Sequence, residues 1–141
     1  MRSKRGIILS FEEQFLPIQE EIDIVKARKK ARELAEQQGF GLTDITRIVT
    51  AASELARNIF HYAKIGKMRW KILKRDNKTG LELIFEDNGP GIPDIEKAME
   101  EGYSTGGGLG MGLPGTKRLM DQFLIESTVG KGTTVIIRKW R

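Results

Sequence analysis

The 141-residue sequence predicts an α+β fold, a two-layer α/β sandwich in which helices cover one face of a mixed, mostly antiparallel sheet. Two observations predict this class. Helical spacing of apolar residues dominates the first half of the chain, and pairs of alternating segments joined by short turns dominate the second half. Strands and helices do not alternate strictly, as they would in a doubly wound parallel sheet, so helices packed on hairpins are expected. We expect residues 1–141 to form one domain.

The first half of the chain is predicted to hold a strand followed by two helices. Residues 7–15 begin with alternating apolar side chains, which predicts the strand. Residues 19–38 are rich in strong helix formers and repeat apolar residues at a helical spacing, and Gly39 and Gly41 end this helix. A second helix is predicted from residue 42 or 43 to about residue 63.

The second helix is amphipathic, with an apolar stripe centred near Ala52 and Ile59. Glu54 and Asn58 lie on the opposite face, and their separation of four residues makes the side chains neighbours. Two interpretations of this pair are open. It is part of a solvated polar face, or Glu54 accepts a proton while the amide oxygen of Asn58 binds Mg²⁺.

The second half of the chain is predicted to hold two hairpins, with a glycine-rich segment and a helix between them. The first hairpin turns at DNKTG and the second at VGKG. The predicted strands are 68–75, 81–88, 123–128 and 133–140, and the predicted helices are a short one at 94–101 and a longer one at 112–122.

The composition excludes several classes of protein. Hydrophobic residues make up 39% and charged residues 30% of the chain, which suits a buried core and not global disorder. The sequence has no cysteine, no apolar run of membrane-spanning length and no signal-peptide pattern at its N-terminus. We therefore expect a cytoplasmic protein without membrane contact.

The formal net charge is +5, and its densest part lies in the first predicted helix, between Lys26 and Arg32. This basic run is either a solvated helix face or a docking face for an acidic protein partner. It shows neither aromatic interleaving nor zinc-finger spacing, so no nucleic-acid partner is expected.

The glycine-rich segment STGGGLGMGLPGTK, from Ser104 to Lys117, fails two tests for a known phosphate loop. Gly110, Gly112 and Gly115 have the spacing of the dinucleotide-binding motif, but no strand precedes them. The spacing also approaches that of a Walker loop, but Lys117 lies one position too late. A glycine loop that runs into a helix N-terminus remains, and its backbone N–H groups are suited to binding an anion.

The segment EDNGPGI follows a predicted strand and presents a carboxylate. Alternation along that strand places Asp87 on the same face as Leu83 and Phe85, so the carboxylate points toward the interior at the strand end. Gly89 and Gly91 leave space beside it. The segment is either a simple turn or the floor of a pocket for a flat ligand with an exocyclic amine, such as adenine.

Four motifs stand in a fixed order along the chain. An E-x-x-x-N pair lies on a helix, D-x-G-x-G follows a strand, G-x-G-x-G lies in the glycine-rich segment, and G-T opens the last strand. In this order they resemble the N box, the G1 and G2 boxes and the final G-T element of the GHKL ATPase superfamily. Within it, the segments SELARNIFHYA, DNGPGI and GGGLGMGLPGTKRLMD resemble the small bacterial anti-sigma-factor serine/threonine kinases, and most of all the switch kinases of stress-response signalling complexes.

The resemblance implies a Bergerat-type fold that binds Mg·ATP beneath a glycine-rich lid. Glu54 would be the general base, Asn58 would coordinate Mg²⁺, and Asp87 would receive the adenine amino group. The other nucleotide-binding residues implied are Gly89 and Gly91 beside the base, Thr133 near an adenine-side water, and Gly106, Gly107, Gly108, Gly110, Met111 and Gly112 in the lid and phosphate site.

The activity implied is transfer of the γ-phosphoryl group of ATP to a serine or threonine of a STAS-domain protein. The freed kinase would then bind and activate a downstream PP2C-type phosphatase. Two alternatives are an anti-sigma factor with kinase activity that sequesters a sigma factor, and a non-catalytic module that changes shape with bound nucleotide. The segment Ser104 to Met111 lacks the basic residue that some relatives place near the γ-phosphate, and Arg57 and Lys117 are the candidates to replace it.

Overall fold

The computed structural model describes residues 14–100 and 112–141. In these ranges the helices and strands pack in two layers, as the predicted sandwich requires. A π-helical turn, Ile59–Ala63, extends the second helix. The helices are α1 (Ile22–Gln37), α2 (Leu42–Asn58), α3 (Ile95–Ala98) and α4 (Gly112–Leu119), and the strands are β1 (Phe15–Ile18), β2 (Gly66–Arg75), β3 (Lys78–Asp87), β4 (Gln122–Thr128) and β5 (Gly132–Trp140).

The strands form one five-stranded sheet in the order β1-β2-β3-β5-β4, and each pairing among them is antiparallel. The fold class predicted from the sequence is confirmed. The central strand β3 lies between β2 and β5 and is hydrogen-bonded to both, so a neighbouring strand lies on each side of each of its ends. The candidate site lies at one of these ends.

One face of the sheet packs against the two long helices. Leu81, Leu83 and Phe85 alternate along β3 and are buried in the core. Ile48 and Leu55 of α2 are buried in the same core, as the predicted amphipathic pattern requires. Burial of this apolar surface is the main stabilising contribution, at roughly 25 cal/mol per Å² removed from water.

Small side chains allow α1 and α2 to pack closely against each other. Ala27, Ala31 and Ala35 repeat at four-residue intervals in α1, and each has 0% exposure. Ala52 and Ala56 of α2 are equally buried. Because alanine adds little bulk, the two helix axes can approach closely over the sheet. Over the two described ranges, no helix is both long and apolar enough to cross a membrane.

The other face of the sheet carries ion pairs between neighbouring strands. Arg69 of β2 lies 2.8 Å from Glu86 of β3, and Arg138 of β5 lies 2.6 Å from Glu82 of β3. Alternation along the strands puts these four side chains on the face opposite to Phe85. Glu82 is buried although it is charged, and its pairing with Arg138 offsets part of the lost hydration.

Several element boundaries differ from those predicted. The first strand is Phe15–Ile18, later than the predicted 7–15, and residues 7–13 lie outside the described residues. The last helix ends at Leu119, short of residue 122, because β4 already begins there. Lys139 Nζ donates a hydrogen bond of 3.0 Å to the Leu119 carbonyl and caps that helix end, a contact that local sequence patterns do not reveal.

The helix predicted to continue to about residue 63 widens after Asn58 into the π turn. Lys64 N donates to Ile59 O at 2.8 Å, a bond that spans five residues instead of four. Lys64 has a φ of 75°, which ends the turn. The spacing of apolar residues does not predict this change, because a single wider turn hardly alters the periodicity.

A buried carboxylate fixes the turn between β1 and α1. Asp23 Oδ2 accepts hydrogen bonds from Gln19 N at 2.9 Å and from Glu20 N at 3.0 Å. The bond from Gln19 N, supported by the bond from Glu20 N and by the nearby Lys26, lowers the pKa of Asp23 below its ordinary value of 3.8. Burial acts in the opposite direction and is outweighed.

We expect Asp23→Asn to destabilise the fold at neutral pH by about 1–3 kcal/mol, because an uncharged oxygen would replace a charged acceptor of two backbone N–H groups. The native pKa lies below the unfolded one. The carboxylate therefore contributes stability above pH 3.8, and this contribution is lost as the pH falls through the native pKa. Urea unfolding of both proteins from neutral pH to about pH 2 measures the difference, and a constant difference over that range would contradict the expectation.

Candidate functional site

The end of β3 presents a carboxylate between two neighbouring strands. Asp87 is the last residue of β3 and lies opposite Gly66 of β2 and Thr133 of β5. Its Oδ1 accepts hydrogen bonds from Gly89 N at 2.9 Å and from Thr133 N at 3.3 Å. Its Oδ2 has no hydrogen-bond partner in the described part of the chain, so this oxygen is available to a ligand.

Two glycines allow the π turn to pack directly against this strand end. A Cβ atom on Gly66 would lie 2.6 Å from Ile59 Cγ2, and one on Gly89 would lie 2.6 Å from Ala63 Cβ. Both distances are far below van der Waals contact, so these positions require glycine. The sequence predicts open space at Gly89 beside Asp87, whereas the structure places Ala63 there. The end of α2 is thereby joined to the loop that carries the carboxylate.

The loop that follows β3 is tied to the end of β4. Ile92 N donates a hydrogen bond of 2.7 Å to Ser127 Oγ. Gly91 has a φ of 80° and packs against the Thr128 backbone so closely that a Cβ atom would overlap the carbonyl group. Gly91 thus permits the loop after β3 to approach the backbone at the end of β4, and it also adopts the positive φ that its turn requires.

Ser127 is a site residue that the sequence does not identify. It follows Phe123 and Ile125 on the core face of β4 and lies opposite Thr133 of β5. A serine at the end of a short alternating segment is an ordinary strand end in sequence. Its importance depends on which strand pairs with β4 and which loop passes nearby, and only the tertiary fold supplies that information.

The helix α2 carries the second part of the candidate site, the pair Glu54 and Asn58. Arg57 Nη1 donates to Glu54 Oε1 at 2.6 Å, and the Glu54 side chain is only 13% exposed. Asn58 is half-buried at the last position of α2, and its side-chain amide has no hydrogen-bond partner in the described ranges. The low exposure of Glu54 disfavours the interpretation that this is simply a solvated polar face.

A cavity of about 970 Å³ lies at the same end of the sheet. Asp87, Ser127 and Thr133 are among the residues that line it. Glu54 and Asn58 are not among the described residues that line it. The structure therefore places the carboxylate of Asp87 and the hydroxyl groups of Ser127 and Thr133 around one cavity. The π turn that follows Asn58 packs against Gly66 and Gly89 at the same end of the sheet.

Of the glycine-rich segment 104–117, the structure describes residues 112–117. Gly112 begins α4 with a φ of 70°. Of the two cations considered for the γ-phosphate, Arg57 is paired with Glu54, whereas Lys117 is exposed in the last turn of α4. Arg57 is therefore the cation beside the pair on α2. The predicted lid residues Gly106, Gly107, Gly108, Gly110 and Met111 lie outside the described residues.

A comparison with protein families matches residues 43–141 to the histidine kinase-, DNA gyrase B- and HSP90-like ATPases. The chain belongs to this GHKL ATPase family. The match covers α2 almost from its first residue, the whole sheet except β1, and the strand ends that surround the cavity. Membership supports ATP as the ligand of this region, as the motifs predict.

The GHKL chain also has close relatives of known class. It is 54% identical over 123 residues to the serine/threonine-protein kinase RsbT of Bacillus subtilis, and the alignment covers 87% of this chain and 92% of that protein. It is 37% identical over 120 residues to an anti-sigma F factor of Caldanaerobacter subterraneus subsp. tengcongensis, covering 81% and 82%. The predicted resemblance to anti-sigma-factor-type kinases is confirmed, and the similarity supports the predicted ATP-dependent serine/threonine kinase activity.

Two solved structures have the same fold as the GHKL chain. The RsbU and RsbW domains of Rv1364c from Mycobacterium tuberculosis align with a TM-score of 0.59 at 21% identity, over 91% of this chain and 33% of that one. The mycobacterial sensor histidine kinase MprB aligns with a TM-score of 0.53 at 15% identity, over 91% and 97%. The GHKL chain thus spans about a third of the first structure and nearly all of the second.

We expect Gly132→Ala to destabilise the protein by about 3 kcal/mol or more, because Gly132 has a φ of 119° and a Cβ atom there would overlap the Asp87 carbonyl. The matched control is Gly130→Ala, whose φ of 82° is also left-handed but whose Cβ would meet nothing within 4 Å. The control should lose only the conformational cost, about 1–2 kcal/mol. Denaturant unfolding compares the two, and equal losses would show that the close packing of Gly132 is unimportant.

Proposed function

We propose that this protein transfers the γ-phosphoryl group of ATP to a serine or threonine of a partner protein in a bacterial partner-switching pathway. The observation that carries the proposal is the 54% sequence identity to a serine/threonine-protein kinase, which extends over 87% of this chain and 92% of that protein. The site residues support it, because Asp87 and Asn58 each have a side-chain oxygen without a hydrogen-bond partner in the described part of the chain, and the π turn that follows Asn58 packs against the strand end at Gly66 and Gly89.

The nucleotide base is proposed to bind at the end of β3. Asp87 Oδ2 is available to accept a hydrogen bond from an exocyclic amine, while two backbone N–H groups hold the carboxylate in place through Oδ1. Gly89, Gly91 and Thr133 belong to the same strand ends and are proposed to shape the pocket around the base. Gly106, Gly107, Gly108, Gly110, Met111 and Gly112 are proposed to cover the phosphates.

Mg²⁺ is proposed to bind at Asn58. Mg²⁺ takes oxygen ligands, keeps several waters and usually has few protein ligands when a nucleotide supplies phosphate oxygens. The amide of Asn58 has no partner among the described residues, so its oxygen suits this role. When bound, the metal ion would neutralise charge on the phosphates.

Glu54 is proposed to act as the general base. Its Oε1 is held by Arg57, which leaves Oε2 to take the proton of the acceptor hydroxyl. The acceptor oxygen would then bond to the γ-phosphorus as the bond from that phosphorus to the β,γ-bridging oxygen breaks, and ADP would leave with the electron pair. Arg57 keeps the carboxylate in one orientation and adds positive charge beside the reacting groups.

The proposed acceptors are STAS-domain proteins, and the proposed target of the freed kinase is a PP2C-type phosphatase, all in the cytoplasm. The similarity to an anti-sigma F factor favours one alternative, a kinase that also holds a sigma factor. Affinity capture of the tagged chain from its own cells distinguishes the two. STAS proteins and a phosphatase would support the proposal, whereas a sigma factor would replace it with the alternative.

We expect Glu54→Gln to bind ATP normally and to transfer phosphate about 10²–10⁴-fold more slowly, because the amide keeps a hydrogen bond to Arg57 but does not accept a proton. Labelled ATP and a purified acceptor measure transfer, and calorimetry measures binding. Glu33→Gln is the control, since Glu33 of α1 forms an ion pair with Lys30, three residues before it, at 2.8 Å. Transfer at the wild-type rate by Glu54→Gln would refute the assignment of the base.

We expect Asp87→Asn and Asn58→Ala to weaken ATP binding at least about tenfold, for different reasons. The amide nitrogen of the first variant would place a donor where the adenine amine requires an acceptor. The second variant would remove the metal ligand, so its defect should appear with Mg·ATP and be absent with adenosine. If adenosine binding fell equally in Asn58→Ala, this residue would contact the base and not the metal.

A further inference from the structure

A buried lysine occupies a core-facing position near the end of β5. Val135 and Ile137 are buried on one face of this strand. Alternation places Lys139 next on the same face, opposite Leu81 of β3, and only 7% of the lysine is exposed. Because a buried ammonium group is costly without partners, this part of the fold has to supply oxygen atoms to it.

Among the described residues, the partners of the Lys139 ammonium group come from three parts of the chain. Its Nζ donates to Leu119 O at 3.0 Å and lies 3.6 Å from Asp121 Oδ1 and 3.7 Å from Asp44 Oδ1. Leu119 is the last residue of α4, Asp121 lies between α4 and β4, and Asp44 lies in the first turn of α2. Lys139 therefore joins the end of α4 to the beginning of α2.

The two carboxylates of this cluster are also held by other groups. Asp121 Oδ2 accepts a hydrogen bond of 2.7 Å from Trp140 N, and Asp44 Oδ1 accepts one of 3.1 Å from Arg47. A methionine would fill the space of the lysine without a charge, and buried ion pairs are often no more stabilising than apolar side chains of similar volume. The geometry that Lys139 fixes therefore explains its presence better than the stability that it adds.

The helix α4 connects this cluster to the proposed phosphate site. It begins at Gly112, the last of the glycines proposed to cover the phosphates, and its eight residues span about 12 Å. Thr116 is fully buried, and its Oγ1 donates to Gly112 O at 3.0 Å within the first turn. Because so short a helix is not stable by itself, its position depends on the contacts that hold it to the rest of the fold.

We infer that Lys139 is a positioning residue for the proposed phosphoryl transfer. By holding the end of α4 to the start of α2, it fixes the position of Gly112 relative to Glu54 and Asn58, which α2 carries. The inference rests on the proposed function, since it requires that the nucleotide phosphates contact both helices. A misplacement of about 1 Å between reacting groups is enough to lower a rate about 10²-fold.

Binding of the nucleotide base should not depend on Lys139. Thr133 and Lys139 lie near opposite ends of β5, about 20 Å apart along an extended strand. Loss of the lysine should therefore slow phosphoryl transfer and leave adenosine binding unchanged. A merely structural lysine would instead lower both in proportion to the unfolded fraction of the protein.

The test is Lys139→Met, which keeps a long side chain and removes its charge. We expect kcat at saturating Mg·ATP to fall about 10–100-fold, while the Kd for adenosine stays within about twofold of the wild-type value. Labelled ATP and the STAS-domain protein captured with the tagged chain measure transfer, and calorimetry measures adenosine binding. Circular dichroism at the assay temperature measures the folded fraction. Lys139→Arg keeps a cationic donor and should recover most of the lost rate.

Arg138→Met is the matched control, because Arg138 also lies on β5 and pairs with a buried carboxylate, that of Glu82, at 2.6 Å. Its guanidinium group lies on the opposite face of the sheet from Lys139. This variant should lose stability but keep the wild-type kcat per folded molecule. A wild-type kcat in folded Lys139→Met would overturn the inference, and so would an equal loss of kcat and adenosine affinity.

A second pair of variants protects the test if Lys139→Met does not fold. Asp44→Asn removes one charge that faces Lys139, whereas Arg47→Gln removes the other partner of Asp44 and leaves the lysine cluster intact. The first variant should lower kcat about threefold, and the second should not change it. Equal kcat values in the two would overturn the inference and leave the kinase proposal intact. Absence of ATP binding by the wild-type protein would instead refute the proposed function, and the inference with it.

Discussion

The packing of the Gly132 backbone against the Asp87 carbonyl is the contact on which the candidate site depends. Because no side chain intervenes, β5 begins directly beside the end of β3, and the Thr133 N–H reaches the Asp87 carboxylate. On the other side, Gly66 admits the π turn to the same strand end. The carboxylate is oriented by two backbone N–H groups, those of Gly89 and Thr133, which do not reorient as long side chains would.

The two parts of the candidate site are built in different ways. Glu54 and Arg57 are neighbours on one helix, so their ion pair forms wherever α2 forms. Asp87, Ser127 and Thr133 come from three different strands and meet only in the finished sheet. The two parts of the candidate site are therefore held by separate contacts, one set within a helix and the other between strands.

Local patterns predicted the fold class, the core face of β3 and the position of Asp87, because a two-residue period determines which side chains share a face. They did not predict the π turn, since its extra residue leaves the apolar spacing of α2 almost unchanged. They also did not predict Ser127, whose partners lie in a distant loop and a neighbouring strand. Gly89 was assigned correctly to the region of Asp87, but its purpose, contact with Ala63, required the tertiary structure.

The hydrogen bonds accepted by Ser127 and Asp87 also have a consequence for the order in which the protein folds. The bond between Ile92 and Ser127 joins residues 35 positions apart, and the bond between Asp87 and Thr133 joins residues 46 apart. Contacts of such wide separation require closure of long chain segments, which is slow and entropically costly. The helix α2 can form early from local contacts. The cavity wall beside Asp87 is complete only after the C-terminal strands have joined the sheet, so a truncated or partly folded chain would carry Glu54 without that cavity.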